Sequence, residues 1–334
     1  MIDTGDKRIR LEVIENVAVL TLARAEKLNA LDYEMVLALE RAAHLIDANR
    51  NVRVAIITGE GDKSFCAGGD IEAWSNWSPD DFGMAWVRHG HRAFDALARL
   101  RPPLIAALNG HTLGGGLELA ATADFRVAEQ HVKLGSPETG LGIIPGWSGS
   151  QRTVRRFGSQ LVRRMALLGE IFAAEDGRIL GLVDKVVPKS QALDSAKEMS
   201  KALIARGTIA TQATKMLINS AEGEERERPL EALAGAVAAA SADIKEGVKS
   251  FSGKAQAGIL ARFPASWNRL AGKESRRINT DTLSREYSVS CCICGRNRSR
   301  SFFGQIGCRS TRGYCCRCGA AFQCSKRAHF PGAD

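Results

Sequence analysis

The stretch from Gly110 to Asp124 constrains this chain most, because three successive glycines, Gly114 to Gly116, open an alanine- and leucine-rich run. Ahead of it lies Leu104–Leu108, an apolar run whose length and bounding turn residues suit a buried strand. The order is therefore strand, glycine turn, helix. Without Cβ atoms such a turn reaches conformations closed to other residues and lets a ligand approach the backbone. The first amides of the following helix have no intrahelical partner and lie at the positive end of its dipole. An oxygen that gains negative charge during a reaction is stabilised there. Glu118 follows in the first helical turn, where a carboxylate also simply complements the dipole, so the stretch alone is a weak signal.

Two further stretches share this character. Ser64-Phe65-Cys66-Ala67-Gly68-Gly69-Asp70-Ile71 follows the apolar run Val52–Thr58 and again carries small residues where backbone amides can face a ligand. Two such turns, each following a strand of one sheet, are expected to converge on one atom. The third stretch, Gly135 to Gly146, is so dense in glycine and proline that it reads as a loop. Glu138 sits on it, in a setting where functional residues are over-represented but where a solvated carboxylate is also ordinary. Cys66 has no histidine placed near it by sequence to lower its pKa, and it reads as a packing residue rather than a nucleophile.

Around these stretches the pattern alternates strand and helix, which is the mark of an α/β fold. Arg8–Leu22 reads as a hairpin broken at Glu15-Asn16, and Asp32 as the N-cap of a helix to about Asn49. Trp74 to Leu100 is a helix-rich insertion with Trp77, Trp86, His89 and His91. Two histidines at i and i+2 face different sides of a helix and make a poor metal pair. Phe125–Ala128, Val132–Leu134 and Leu182–Val187 are further strand candidates. From Gln151 the chain turns mostly helical, with segments at 151–157, 161–168, 174–180, 191–205, 209–221 and 230–248.

Taken together and in order, these motifs resemble the crotonase superfamily, the enoyl-CoA hydratase and isomerase family. The matching pieces are Glu26 to Leu31, Phe65 to Ile71, Gly110 to Asp124, Pro137-Glu138 with Leu141 to Gly146, and Gly181 to Asp184. The likeness covers about Arg8 to Phe251. It implies a crotonase-like spiral of ββα units at 1–200 and a helical C-terminal region at 201–253 that mediates homotrimers or hexamers. It implies an acyl-CoA thioester substrate, with coenzyme A entering as part of the substrate and no separate cofactor. By carry-over, the amides of Gly69 and Gly115 form an oxyanion hole, Glu118 orients and activates water, and Glu138 exchanges the proton at C2. Lys27, Leu28, Ala67, Gly69, Asp70, Ile71 and Gly115 are expected to line the acyl-CoA site. Both glutamates together favour hydration over isomerisation, for which one base suffices; isomerase and other crotonase-type reactions stay open. Trp147 departs from the smaller residues frequent at its position and, with Trp74, Trp77 and Trp86, is expected to shape the acyl pocket.

The charge of +9 belongs to the end of the chain: from Ala271 to Asp334 there are 12 Lys or Arg against 4 Asp or Glu. Nucleic acid is thus not an expected partner of the body, and no apolar run is long enough to span a membrane. A cytoplasmic protein is the expectation. Cysteine is equally lopsided, with Cys66 in the body and eight others between Cys291 and Cys324. Cys291-x-x-Cys294 and Cys315-x-x-Cys318 have zinc-ribbon spacing. The dense Arg and Ser and the scarcity of aliphatic residues in 254–334 argue instead for disorder or a non-native extension. A basic Cys-rich tail acting as the functional part of a non-catalytic binding protein is the rival reading from another class.

Overall fold

In the computed structural model, residues 1–226, 228–241, 244, 248, 312–314 and 321–323 are described. The chain divides into two compact units, Met1–Trp267 and Asn268–Asp334. In the second, Arg312–Tyr314 and Ala321–Gln323 form an antiparallel pair. The cysteine pairs of the tail and its expected disorder or zinc site lie outside the described residues.

The first unit is built on two sheets. Strands β1 (Ile9–Ile14) and β2 (Val17–Leu22) form the expected hairpin, with Glu15 in the left-handed region at φ 55°. Helix α1 (Tyr33–Ala48) begins where Asp32 accepts the Met35 amide at 3.0 Å, satisfying a donor that the helix itself cannot. Strands β3 (Val54–Gly59), β5 (Leu104–Leu108), β7 (Phe125–Glu129) and β10 (Lys185–Val187) add in parallel, in the order β1-β2-β3-β5-β7-β10. Both faces of its central strands are covered, which is why β3 and β5 read as nearly continuous apolar runs. Val54, Ile56, Ile105, Ala107 and Val127 pack with helix α9 (Ala192–Ile204), while Ala55, Ile57, Leu104, Ala106 and Leu108 join the main core with α1.

The second sheet holds β4 (Ser64–Cys66), β6 (His111–Leu113), β8 (Lys133–Gly135) and β9 (Phe172–Ala173), the first three parallel. Here the sequence expectation needs correcting. The glycine turns do not leave the long strands β3 and β5 directly; they leave β4 and β6, which are too short to show a periodic pattern. Likewise the strand expected at Leu182–Val187 begins only at Lys185, because the amides of Leu182 and Val183 turn back to the Gly177 carbonyl at 2.7 and 3.2 Å.

The remaining helices are α2 (Ile71–Trp74) and α3 (Pro79–Asp81), a π-helical turn at Phe82–Val87, α4 (Arg88–Ala98), α5 (Gly115–Ala120), α6 (Gln151–Phe157), α7 (Ser159–Leu168), α8 (Ala174–Ile179), α10 (Thr208–Ala221) and α11 (Arg228–Ala239). Buried ion pairs fasten α6 to α4 and to the turn beyond α10: Arg152 meets Asp95 and Glu224, each at 2.6 Å.

Candidate active site

The three marked stretches leave the C-terminal ends of three neighbouring parallel strands: Ala67–Asp70 after β4, Gly114–Glu118 after β6, and Ser136–Glu138 after β8. Such strand ends are where open α/β sheets place ligands. All three border one cavity of about 200 Å³, lined by Ala67, Gly69, Ile71, Gly115, Glu118 and Glu138 among others.

The loop after β4 is fixed from one side. Leu31 donates to the Gly68 carbonyl at 2.8 Å and accepts from the Asp70 amide at 2.7 Å, while the Ala67 amide donates to Leu28. Alternate amides of an extended segment point opposite ways, so the Gly69 N–H turns away from Leu31. Asn29 secures the same stretch by donating to the Ser64 carbonyl at 2.8 Å, and Arg24 pairs with Asp70 at 2.8 Å. Across from it, Gly114 has φ 57° and ψ −129°, a conformation reserved for glycine. That bend leaves the Gly115 N–H as the first amide of α5. A methyl group on Gly68 would sit 3.0 Å from the Gly115 nitrogen, so the two bends adjoin. Among the described residues neither the Gly69 nor the Gly115 N–H has a backbone acceptor. Close approach of α5 to β4 completes the packing: a Cβ on Gly116 would fall 2.0 Å from the Cys66 carbonyl oxygen.

Glu118 is buried, and its Oε1 accepts the Trp147 amide at 2.7 Å. Burial first, and then the nearby Glu138 charge, push its carboxyl group up to about 8; the Trp147 and Gly149 amides and Arg152 pull the other way. Glu138 is also raised by burial, against the Ser136 hydroxyl that donates to its Oε2 at 2.7 Å. Its Oε1 is buried without a hydrogen-bond partner among the described residues. Each acid is thus pushed toward its neutral form by burial, and Glu118 keeps its proton at neutrality. The site offers two free amides for a negative oxygen together with two carboxyl groups able to give or take a proton.

Trp147 forms a wall of the cavity. Its indole lies across both glycine bends, with ring atoms 2.8 Å from where a Gly115 Cβ would be and 3.5 Å from where one on Gly69 would be. Gly90 on α4 makes room for it, since a Cβ there would be 2.0 Å from the indole nitrogen. Trp74, Phe82 and Trp86 complete this side; Trp77 meets Tyr33 and Trp86 edge to face and does not line the cavity. Lys27, Leu28 and Asp70 also stand outside the lining. Lys27 pairs with Glu72 at the surface, Leu28 is an exposed left-handed residue, and Asp70 anchors its loop through Arg24. Cys66 is fully buried and burial pushes its thiol up to about 12, as a packing residue requires. His89 bonds Tyr33 and His91 faces Ser148, so the two separate as their spacing implies. Sequence reading missed Phe82, Ser136 and the amides that hold Glu118. Only Ser136, two residues before Glu138, carried a local signal.

The model of the enoyl-CoA hydratase/isomerase family matches residues 12–259. Crotonyl-CoA hydratase of Syntrophomonas wolfei is 34% identical over 261 residues, covering 77% of this chain and 99% of that protein. Short-chain-enoyl-CoA hydratase of Clostridium acetobutylicum is 35% identical over 209 residues, 63% of this chain and 80% of the relative. Among solved structures, an enoyl-CoA hydratase from Bacillus anthracis superposes with a TM-score of 0.64 at 30% identity, covering 75% of this chain and 97% of that one.

Proposed function

Since the chain belongs to the enoyl-CoA hydratase/isomerase family, we propose that its cavity adds water across the C2–C3 double bond of an enoyl-CoA thioester, reversibly with the 3-hydroxyacyl-CoA. The observation that carries this reading is that Glu118 and Glu138 both line the cavity that the two glycine bends border. Addition at C3 moves electrons onto the thioester oxygen, and the resulting enolate needs donors already in place. The amides of Gly69 and Gly115 supply them. Glu118 orients and activates the water that attacks C3, while Glu138 delivers the proton to C2. The reacting form carries one proton on the pair, so that one acid and one base act at once, and a site with two carboxyl groups suits hydration better than a shift of the double bond.

The basic tail is not needed for this chemistry. Assembly into homotrimers would run through the C-terminal helical region at 201–253, where Ile209 and Leu217 are exposed; light scattering would measure it. No described helix is long and apolar enough to cross a membrane. Incubation with crotonyl-CoA, following the conjugated thioester absorbance, tests the reaction. Loss of that absorbance with formation of 3-hydroxybutyryl-CoA is expected; an unchanged spectrum contradicts the reading.

A further inference from the structure

We propose that His91 is a positioning residue for Glu118, acting through the Ser148 hydroxyl to hold a left-handed turn whose flanking amides face the Glu118 carboxyl group. The inference rests on the hydratase reading above. Ser148 is buried and sits at φ 70°, a conformation unfavourable for a residue with a Cβ unless its surroundings impose it. That turn reverses the chain between Trp147, whose amide meets Glu118 Oε1 at 2.7 Å, and Gly149, whose amide faces the same carboxyl group. Gly149 itself is pressed on the acid, for a Cβ there would lie 2.4 Å from Oε1. Relaxing Ser148 to a negative φ therefore swings at least one amide off the carboxylate.

Two contacts oppose that relaxation. The Ser148 carbonyl accepts the Arg152 amide at 2.8 Å, tying the turn to the start of α6. The Ser148 hydroxyl lies 2.8 Å from His91 Nε2, and no other side chain among the described residues bonds it. His91 reaches the turn from α4, more than fifty residues earlier in sequence. The charged groups about it are Asp95 on its own helix, 3.8 Å away, and Arg152 from α6, which is bound to that aspartate at 2.6 Å. Neither contacts the Glu118 carboxyl group by a hydrogen bond, so His91 acts on Glu118 through the backbone of residues 147–149.

Glycine adopts φ 70° without a tether, and this separates the tether from every other role of His91. The experiment measures kcat, KM and the pH dependence of kcat/KM for crotonyl-CoA in the full-length protein, its His91→Ala and Ser148→Gly variants and the double variant. His91→Ala is expected to lower kcat about tenfold, short of the ~100-fold of full misplacement, with KM changed less than about twofold. It also moves the alkaline limb upward, because amides that favour the carboxylate are lost. In the Ser148→Gly background the same change costs less than about twofold, and His91→Gln, which keeps a polar group near the Nε2 position, retains activity. An equal loss in both backgrounds, or no loss in either, overturns the proposal. Infrared titration of the Glu118 carboxyl band, assigned by its disappearance in Glu118→Gln, reads the same shift without turnover. A band that shifts in a protein that does not hydrate crotonyl-CoA would reject the reaction and keep the tether; an unshifted band overturns the tether.

Discussion

Replacing Glu118 by Gln removes one proton and one charge while keeping the shape and the acceptor for the Trp147 amide. Loss of one positioned acid or base is expected to lower kcat for crotonyl-CoA by about 10²- to 10⁴-fold. Stability gives a second, independent reading. The folded Glu118 pKa, about 8, lies above its ordinary 4.5, so its protonated form stabilises the fold below 4.5 and that contribution is lost as pH rises through 8. Gln does not titrate. Between pH 5 and pH 9 the variant should therefore gain on the wild type by up to about 4 kcal/mol, at ~1.4 kcal/mol per pH unit. Urea unfolding of both proteins at the two pH values measures the difference, in which the titrations of groups not coupled to Glu118 cancel. Full hydration activity in the variant, or a stability difference that does not change with pH, would refute the reasoning.

Four other outcomes rest on the same geometry. The free enzyme's kcat/KM should fall above about pH 8 as the glutamate pair loses its last proton, and either placement of that proton gives the same limb. Gly115→Ala drives a methyl group into Trp147 and displaces an oxyanion donor, so kcat should drop about 10²- to 10³-fold while circular dichroism is kept. Trp147→Ala should shift the chain-length profile, measured with a series of enoyl-CoA thioesters, toward longer acyl groups, as its backbone amide to Glu118 is retained. Glu224→Ala leaves the buried Arg152 with Asp95 as its remaining acidic partner and should cost about 1–3 kcal/mol in denaturant unfolding.

How far the sequence reaches is clearest at the glycine bends. Their composition and order were legible because a φ of 57° and a close backbone approach demand glycine whatever the context. The strands that launch them were not, since β4 and β6 span only three residues each and owe their existence to pairing with one another. Helix α1 announced itself through Asp32, a local signal. What fixes Glu118 is nonlocal: its partner amide is 29 residues away, and the wall of Trp147 depends on a missing side chain at Gly90. The π-helical turn at Phe82–Val87, which carries Phe82 and Trp86 into the cavity, likewise has no periodic signature that distinguishes it from an α-helix.

In the proposed reaction one thioester oxygen is gripped by two backbone amides with a carboxyl group on each side of the reacting carbons. A crystal structure with butyryl-CoA, which has no double bond to hydrate, measures it. The account predicts the thioester oxygen about 2.7–3.1 Å from both the Gly69 and Gly115 nitrogens, with C2 and C3 between Glu118 and Glu138. A thioester bound with its oxygen away from either amide would contradict it.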